Sequence, residues 1–158
     1  MDPEYKGIVW SVIIPTYNRA DTLVKTLAAL AAQRFPLEQC EVIIVDDGSS
    51  DRTDKVLAGE FGDYPFCVRV FTQKHKGPAA ARNIGIRNAR GELLLFLGDD
   101  IIADAELLEE HTRWHRQYPL ESVGVLGFVT WAAHIRITPF MHWLENGGPQ
   151  FHYGHLAG

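Results

Sequence analysis

Two kinds of hydrophobic pattern alternate along this chain. Short runs of consecutive apolar residues are typical of strands buried on both faces of a parallel sheet, and apolar residues three or four positions apart are typical of helices. The first pattern predicts strands at 9–14, 41–45, 67–71, 93–97 and 122–129. The second predicts helices near 18–34, 50–57, 78–90, 104–118 and 138–144. This alternation predicts an α/β domain with a mainly parallel central sheet.

Several residues mark the expected limits of these elements. Pro15 is expected to end the first strand, and Asn18 to cap the helix that follows. The strand at 67–71 alternates between apolar and polar residues, which indicates a position nearer the edge of the sheet. Pro78 suits the first turn of its helix, whose many small residues allow close packing on the sheet. The glycine-rich residues 147–158 are expected to form a loop.

The strand predicted at 93–97 leads directly into Gly98, Asp99 and Asp100. Adjacent carboxylates repel each other more strongly as water is excluded, and a divalent cation is the usual compensation. Taken alone, the pair fits equally well a metal site or a solvated strand end that caps the next helix. Polar clusters also follow the first two strands, at 16–19 and 46–49. Because ligands bind beyond the carboxyl ends of parallel strands, three polar clusters at one edge indicate a site.

Composition places the chain among ordinary globular domains. Its 158 residues suit one domain, with 46% hydrophobic and 22% charged residues. The net charge is −5 and basic residues do not cluster, so nucleic acid is not an expected partner. Cys40 and Cys67 lack metal-site spacing and are expected to be buried free thiols, as in a reducing compartment. The sequence contains no signal-peptide pattern and no apolar run of membrane-spanning length, so a cytoplasmic location is expected.

The polar clusters contain side chains suited to a nucleotide and a cation. No glycine-rich phosphate loop of the common types follows a strand, so carboxylates and a metal would have to handle phosphate. Asp100 is the first choice of ligand, with Asp99 near ribose hydroxyls or water. Tyr17 could stack on a base, Asp47 could accept a hydrogen bond from that base, and Arg82 could bind a diphosphate. Tyr17 fits equally well a half-buried turn, and Arg82 a solvated helix position.

Four segments resemble the motifs of family 2 glycosyltransferases, in the family's order and spacing. They are Ser11–Arg19, Val42–Asp51, Gly77–Gly85 and Gly91–Asp100. The resemblance implies the GT-A fold, a Rossmann-like three-layer sandwich. It also implies an inverting transfer from a UDP- or GDP-sugar, with a Mn²⁺ or Mg²⁺ ion, to a hydroxyl of a glycan, lipid or small-molecule acceptor.

The resemblance further assigns residues of the donor site, motif by motif. Pro15 and Tyr17 would lie at the nucleobase, and Asp47 would hydrogen-bond that base. Arg82 and Asn83 match the family's arginine–asparagine pair beside the donor pocket.

The segment Gly98-Asp99-Asp100 occupies the family's DxD-like position, which implies Asp99 near the ribose and Asp100 on the metal. Glycine replaces the first aspartate of that motif and removes one carboxylate. The sequence also ends before the family's acceptor-binding half, which carries a Glu-Asp-type general base. The expected organisation is one domain over 1–158, with a nucleotide-sugar core at about 8–130 and the start of an acceptor-side region or loop at 131–158. A C-terminal half or a membrane-associated partner would complete the enzyme, which could lie at the inner face of a membrane.

The remaining histidines, aromatic residues and carboxylates are expected to have mainly structural roles. The histidine pairs at 111 and 115 and at 152 and 155 lack a third ligand at suitable spacing, so packing or exposure is expected. The aromatic residues near the end could form a sugar platform, cover the sheet, or be an exposed patch; they are Trp131, Phe140, Trp143 and Phe151. The remaining downstream carboxylates match no motif and are expected on solvated faces; they are Asp104, Glu106, Glu109, Glu110 and Glu145.

Three functions remain open at this point. The first is a metal-dependent glycosyltransferase, and the second is a nucleotide-sugar-binding fragment or module without turnover. The third is a nucleotidyltransferase, which shares the architecture and the carboxylate-bound metal. A nucleotidyltransferase would be expected to carry a glycine-rich basic loop near the first strand, and Pro15–Asn18 is not such a loop.

Overall fold

The computed structural model of the chain describes residues 7–59, 64–133 and 135–146. The chain divides into two compact units between Thr112 and Arg113. The first unit contains four strands, β1 (Trp10–Thr16), β2 (Cys40–Asp46), β3 (Cys67–Thr72) and β4 (Leu93–Phe96). All pair in parallel, in the order β3-β2-β1-β4, and β3 lies at an edge as predicted.

Helices cover both faces of this sheet in the first unit. The helices in the described residues are α1 (Ala20–Ala31), α2 (Thr53–Ala58), α3 (Pro78–Asn88), α4 (Leu107–Gln117) and α5 (Pro139–Asn146), the last of which belongs to the second unit. On one face, Leu27 of α1 and Leu108 of α4 join a buried cluster with β1 and β2. On the other face, Ala81 of α3 packs against Ile13 and Ile43. This arrangement confirms the predicted α/β fold with a parallel sheet between helical layers.

The small residues of α3 allow it to lie very close to β1. A Cβ atom added at Gly85 would be 2.3 Å from Cγ2 of Ile13, which is nearer than two carbon atoms can approach. Pro78 lies in the first turn of α3, where its missing N–H costs nothing. Both features agree with the sequence prediction, and they place the first turn of α3 at the carboxyl edge of the sheet.

The expectation that Pro15 ends the first strand is wrong, because β1 continues to Thr16. The carbonyl of Ile13 accepts a hydrogen bond from Leu97, whereas that of Thr16 accepts one from Asp47. Alternate residues of β1 therefore face β4 and β2, and Pro15 faces the β4 side. Since the pairing with β4 ends at Ile13, Pro15 has no ladder hydrogen bond to lose there.

The burial predicted for the strand before the aspartates is only half right. Leu95 of β4 is buried in the core, but Phe96 is 47% exposed. β4 is the last strand on its side of the four-stranded sheet, and α3 packs over β1 and β2. An apolar run predicts burial on both faces only if layers or strands cover both faces, and the sequence of one strand does not contain that information.

Buried polar contacts fasten the chain that follows β4. Gln33 donates from Nε2 to the carbonyl of Asp104 at 2.5 Å and accepts from the N–H of Leu108 at 3.0 Å. Trp10 donates from Nε1 to Oγ1 of Thr112 at 2.9 Å. The loop that carries the two aspartates is therefore fixed before it by β4 and after it by α4.

The second unit contains no strand among its described residues. Residues 122–129, predicted as a strand, have neither helix nor strand, and Phe128 is 73% exposed. Their exposure still alternates along the chain, which is the pattern that led to the strand prediction. The aromatic helix was predicted correctly as α5, and Oγ1 of Thr138 accepts from the N–H of Met141 to cap it.

No described helix is long and apolar enough to cross a lipid bilayer. The loop predicted at 147–158, with its histidine pair and Phe151, lies outside the described residues. His111 is buried and packs edge-on against Trp10, with ring centroids 6.2 Å apart, which agrees with the expected packing role. The single-domain organisation with a core at about 8–130 stays a prediction.

Candidate functional site

A cleft of about 350 Å³ opens at the carboxyl edge of the sheet in the first unit. Loops after all four strands and the first turns of α3 surround it. Its lining residues are Pro15, Thr16, Tyr17, Arg19, Asp47, His75, Pro78, Arg82, Gly98, Asp99 and Asp100. The three polar clusters predicted from the sequence therefore contribute to one cleft.

Asp99 is buried at the base of this cleft. Oγ1 of Thr16 donates to its Oδ2 at 2.9 Å, and Nη1 of Arg19 lies 3.7 Å from its Oδ1. Burial raises the pKa of Asp99 above its ordinary value, and the charge of Asp100 acts in the same direction. The Thr16 hydrogen bond and the Arg19 charge oppose that rise. An additional positive charge in the cleft would favour the ionised form of this carboxyl group.

Asp100 is more exposed and depends on Arg19. Nη1 of Arg19 lies 2.6 Å from its Oδ2, so one nitrogen atom bridges the carboxylates of Asp99 and Asp100. A Cβ atom at Gly98 would lie only 2.8 Å from Oδ1 of Asp100. Glycine at the first position of the motif therefore provides the space that this carboxylate occupies.

Asp47 is buried and organises the loop after β3. Its Oδ1 accepts from Nε2 of Gln73 at 2.6 Å and from the N–H of Lys76 at 2.8 Å. Its Oδ2 accepts from the N–H of Gly77 at 2.8 Å and lies 2.9 Å from Nδ1 of His75. Burial raises the pKa of Asp47, but these hydrogen bonds and the nearby histidine outweigh burial and hold the pKa below its usual range.

Tyr17 and His75 form an aromatic wall of the cleft. Their ring centroids are 4.2 Å apart and their planes are inclined by 33°. Tyr17 is exposed enough for another ring to contact it. Since His75 is also held by Asp47, the loop after β3 determines where this aromatic surface lies.

Asn18 does not cap α1 as predicted. It has a positive φ of 52°, and its Oδ1 accepts from the N–H groups of Ser50 at 2.7 Å and Asp51 at 3.2 Å. Its own N–H donates to Oγ of Ser49 at 2.9 Å. Asparagine tolerates this backbone conformation better than most residues, and its short side chain can reach backbone groups of a neighbouring loop. Asn18 therefore joins the loops after β1 and β2.

Arg82 and Asn83, which were predicted as a pair, have different surroundings. Arg82 lines the cleft and makes no ion pair with any residue in the described ranges. Asn83 is exposed and does not line the cleft, because consecutive residues point about 100° apart around a helix.

Sequence reasoning missed the roles of Arg19 and His75. Two adjacent carboxylates require a nearby positive charge, and Arg19 follows the neighbouring strand, so a search for a counter-ion would have found it. The position of His75 depends on the path of the loop after β3 and on the hydrogen bonds to Asp47, which no local pattern reveals.

The two aspartates suit a hard divalent cation, and the positive charge of Arg19 already lies between them. Within the described residues, no group of three or more acidic, histidine or cysteine side chains is positioned to hold a metal. A pair of carboxylates is the donor set with which proteins hold Mg²⁺ when substrate phosphates and water supply the other oxygens. The residues therefore fit a cation that binds together with a phosphate-bearing ligand.

Comparison with known proteins shows which family the chain belongs to. The model of the family described as glycosyl transferase family 2 matches residues 11–130. The chain belongs to the family 2 glycosyltransferases. It is 38% identical over 107 residues to the uncharacterized glycosyltransferase YfnE of Bacillus subtilis, which covers 66% of this chain and 26% of YfnE.

Solved structures of this family share the fold. Staphylococcus aureus TarS in complex with UDP-GlcNAc superimposes with a TM-score of 0.64 at 27% identity, over 75% of this chain and 37% of that one. The mannosyltransferase PcManGT of Pyrobaculum calidifontis, in complex with GDP-Man and Mn²⁺, gives a TM-score of 0.62 at 26% identity, over 67% of this chain and 32% of that one. The predicted GT-A fold is thereby confirmed. The family membership decides against the nucleotidyltransferase alternative, and the chain spans well under half the length of these relatives.

Proposed function

We propose that this chain holds the nucleotide-sugar donor of an inverting glycosyltransferase, which transfers the sugar to an acceptor hydroxyl with Mn²⁺ or Mg²⁺. The observation that carries the proposal is the cleft in which an aromatic wall, an arginine without an ion pair among the described residues, and two adjacent aspartates meet. A nucleotide sugar presents a base, a diphosphate and a bound cation in that same order. The UDP-GlcNAc complex of TarS and the GDP-Man and Mn²⁺ complex of PcManGT support this assignment.

In this proposal the nucleobase lies between Pro15 and Tyr17 and hydrogen-bonds Asp47. Both oxygens of Asp47 already accept hydrogen bonds, and a carboxylate has about four acceptor sites. The amide of Gln73 is the partner that a base N–H can replace, because the other two donors, at Lys76 and Gly77, are backbone groups. The base would therefore bind by exchanging with Gln73.

The diphosphate would lie between Arg82 and the two aspartates. The planar guanidinium of Arg82 suits two phosphate oxygens, and no ion pair within the described ranges holds it elsewhere. Asp99 would contact the ribose, and Asp100 would hold the cation. When bound, the cation supplies positive charge that stabilises the nucleotide diphosphate as it leaves. Asn83 would lie beside the donor pocket without lining the cleft.

The acceptor hydroxyl must lose its proton as its oxygen attacks the anomeric carbon. Among the described residues that line the cleft, the carboxylates are Asp47, Asp99 and Asp100, and each already has a role. We propose that the general base belongs to a part of the enzyme beyond these residues. The proposal allows a glycan, a lipid or a small molecule as the acceptor. It also allows a cytoplasmic enzyme that lies at the inner face of a membrane.

Calorimetric titration of UDP and of GDP into the chain, with and without Mn²⁺, tests the donor site. We expect one of the two nucleotides to bind with Mn²⁺ present and the Asp100→Ala variant to lose roughly tenfold or more in affinity, the loss expected for a charged contact. The matched control is Asp21→Ala, because Asp21 is an exposed aspartate outside the cleft that pairs with Arg52. Absence of nucleotide binding in the presence of Mn²⁺ would contradict the proposal.

The second candidate function is nucleotide-sugar binding without turnover. This alternative is supported by the small part of its relatives that the chain spans, 26% of YfnE and 37% of TarS. It predicts the same Mn²⁺-dependent titration, but no release of UDP or GDP from the sugar nucleotide when acceptors are added. Measurable donor consumption with any acceptor would exclude this alternative.

A further inference from the structure

We propose that Arg19 competes with the divalent cation for Asp100, so that the cation binds strongly only when the donor diphosphate draws Arg19 away. This inference rests on the proposed donor site. It assigns to Arg19 a positioning role that couples the binding of the cation to the binding of the nucleotide.

The geometry at the two carboxylates carries the proposal. A single nitrogen, Nη1 of Arg19, lies 2.6 Å from Oδ2 of Asp100 and 3.7 Å from Oδ1 of Asp99. A cation held by Asp100 has to occupy the space beside its carboxylate where Nη1 of Arg19 lies, and two positive charges cannot share that space. Cation binding therefore requires the guanidinium to leave.

Arg19 is built so that its side chain can move while its backbone stays in place. The carbonyl of Arg19 accepts from the N–H of Leu23 at 3.0 Å and from Oγ1 of Thr22 at 3.1 Å. The preceding residue, Asn18, is held by the loop after β2. In contrast, the side chain of Arg19 is 51% exposed and that of Asp100 is 49% exposed, so breaking their ion pair costs little free energy.

A diphosphate provides the guanidinium with a new partner. Phosphate oxygens match the planar fork of arginine as well as carboxylates do. When Arg19 exchanges the aspartates for phosphate, the carboxylate of Asp100 becomes free for the cation, and the cation in turn binds the same diphosphate. Nucleotide and cation then strengthen each other's binding by the same factor, as linkage requires.

The test measures Mn²⁺ binding without nucleotide, from the loss of the free Mn²⁺ signal in electron paramagnetic resonance. We expect the Arg19→Ala variant to bind Mn²⁺ alone about fivefold more tightly than the wild type, the size expected for a partly exposed ion pair. Arg19→Lys retains the charge and should stay closer to the wild type. The control is Arg52→Ala, because Arg52 pairs with Asp21 outside the cleft and its removal changes the net charge equally.

A second titration, with UDP or GDP present, measures the coupling. The nucleotide should raise Mn²⁺ affinity more in the wild type than in Arg19→Ala. An unchanged Mn²⁺ affinity in Arg19→Ala would overturn the inference, as would an equal gain in Arg52→Ala. If nucleotide and Mn²⁺ still bind together and Asp100→Ala still abolishes this, only the role of Arg19 has failed. If Mn²⁺ has no effect on nucleotide binding to the wild type, the proposed function itself fails.

Discussion

Carboxylates at opposite edges of the same sheet are held in two different ways. At the amino edge, Glu41 is fully buried and accepts from Oγ of Ser11 at 2.6 Å, the N–H of Arg90 at 2.7 Å and Nη1 of Arg69 at 3.0 Å. At the carboxyl edge, Asp100 is half-exposed, and its partner is the half-exposed guanidinium of Arg19.

The difference lies in whether the partner can leave. Glu41 is surrounded by a backbone N–H, a buried hydroxyl and an arginine that also donates to the carbonyl of Asn88 at 2.6 Å. Exchanging any of these partners for a ligand would leave a buried polar group unsatisfied, which is costly. Arg19 can exchange Asp100 for a phosphate without that cost. Charge at the amino edge therefore stabilises the fold, whereas charge at the carboxyl edge is available to bind a ligand.

The largest expected effect is on the buried network at the amino edge. Glu41→Ala should lower the free energy of unfolding by about 3–5 kcal/mol, because it leaves the charge of Arg69 and several donors without their partner. Urea unfolding of the chain measures this, and Glu41→Gln provides a variant of the same shape. The matched control is Glu38→Ala, which removes an exposed glutamate and should change stability by no more than about 0.5 kcal/mol.

Asp100→Ala should cost less than about 1 kcal/mol in the same urea experiment, because its ion pair is exposed on both sides. If Glu41→Ala and Asp100→Ala lose equal stability, the proposed difference between the amino and carboxyl edges of the sheet is wrong.

An intermediate effect is expected at Asp47, which is buried at the ligand edge. Asp47→Asn should lose about 2 kcal/mol at neutral pH, since charge-assisted hydrogen bonds to the loop after β3 are lost. The pKa of Asp47 is held below its usual value, so the folded protein binds fewer protons than the unfolded chain in acid. The stabilisation is therefore complete above about pH 4 and disappears as the pH falls further. Urea midpoints measured from pH 7 to pH 3 should show the wild type and the variant converging, and a difference that grows in acid would refute this.

A small effect on stability, comparable to that of Asp100→Ala, is expected at Gly98. In Gly98→Ala the new methyl group must displace the carboxylate of Asp100, which is half-exposed and can move. Stability should change by no more than about 1 kcal/mol, whereas Mn²⁺-dependent nucleotide affinity should fall by roughly fivefold. The control is Gly124→Ala, because a Cβ atom at Gly124 has no described neighbour within 4 Å. If Gly98→Ala leaves nucleotide affinity unchanged, the position of Asp100 does not affect nucleotide binding, and this prediction is wrong.

Much of the fold follows from local patterns in the sequence. β1 and β2 are buried on both faces, and continuous apolar runs predict strands of that kind well. Patterns were less informative where the outcome depends on a distant neighbour. The exposed face of β4 depends on which other segments lie alongside it, and so does the absence of the strand predicted at 122–129; no local pattern encodes that.

The same limit applies to the candidate site. Residues attached directly to strand ends, such as Tyr17, Asp47 and Asp99, were expected at the cleft and do line it. The prediction that Asn18 caps α1 is wrong, because the side-chain amide oxygen that could cap a helix instead accepts from the loop after β2. Arg19 was overlooked as a counter-ion because it meets the aspartates only after β1 and β4 have paired.

The most direct test of the distinction between the two edges is a crystal structure of the chain with UDP or GDP and Mn²⁺. The account predicts that Mn²⁺ is bound by Asp100 and the diphosphate, that Arg19 has left both aspartates, and that the contacts of Glu41 are unchanged. A structure in which the nucleotide is bound while Arg19 still bridges Asp99 and Asp100, with no Mn²⁺ on either carboxylate, would contradict it.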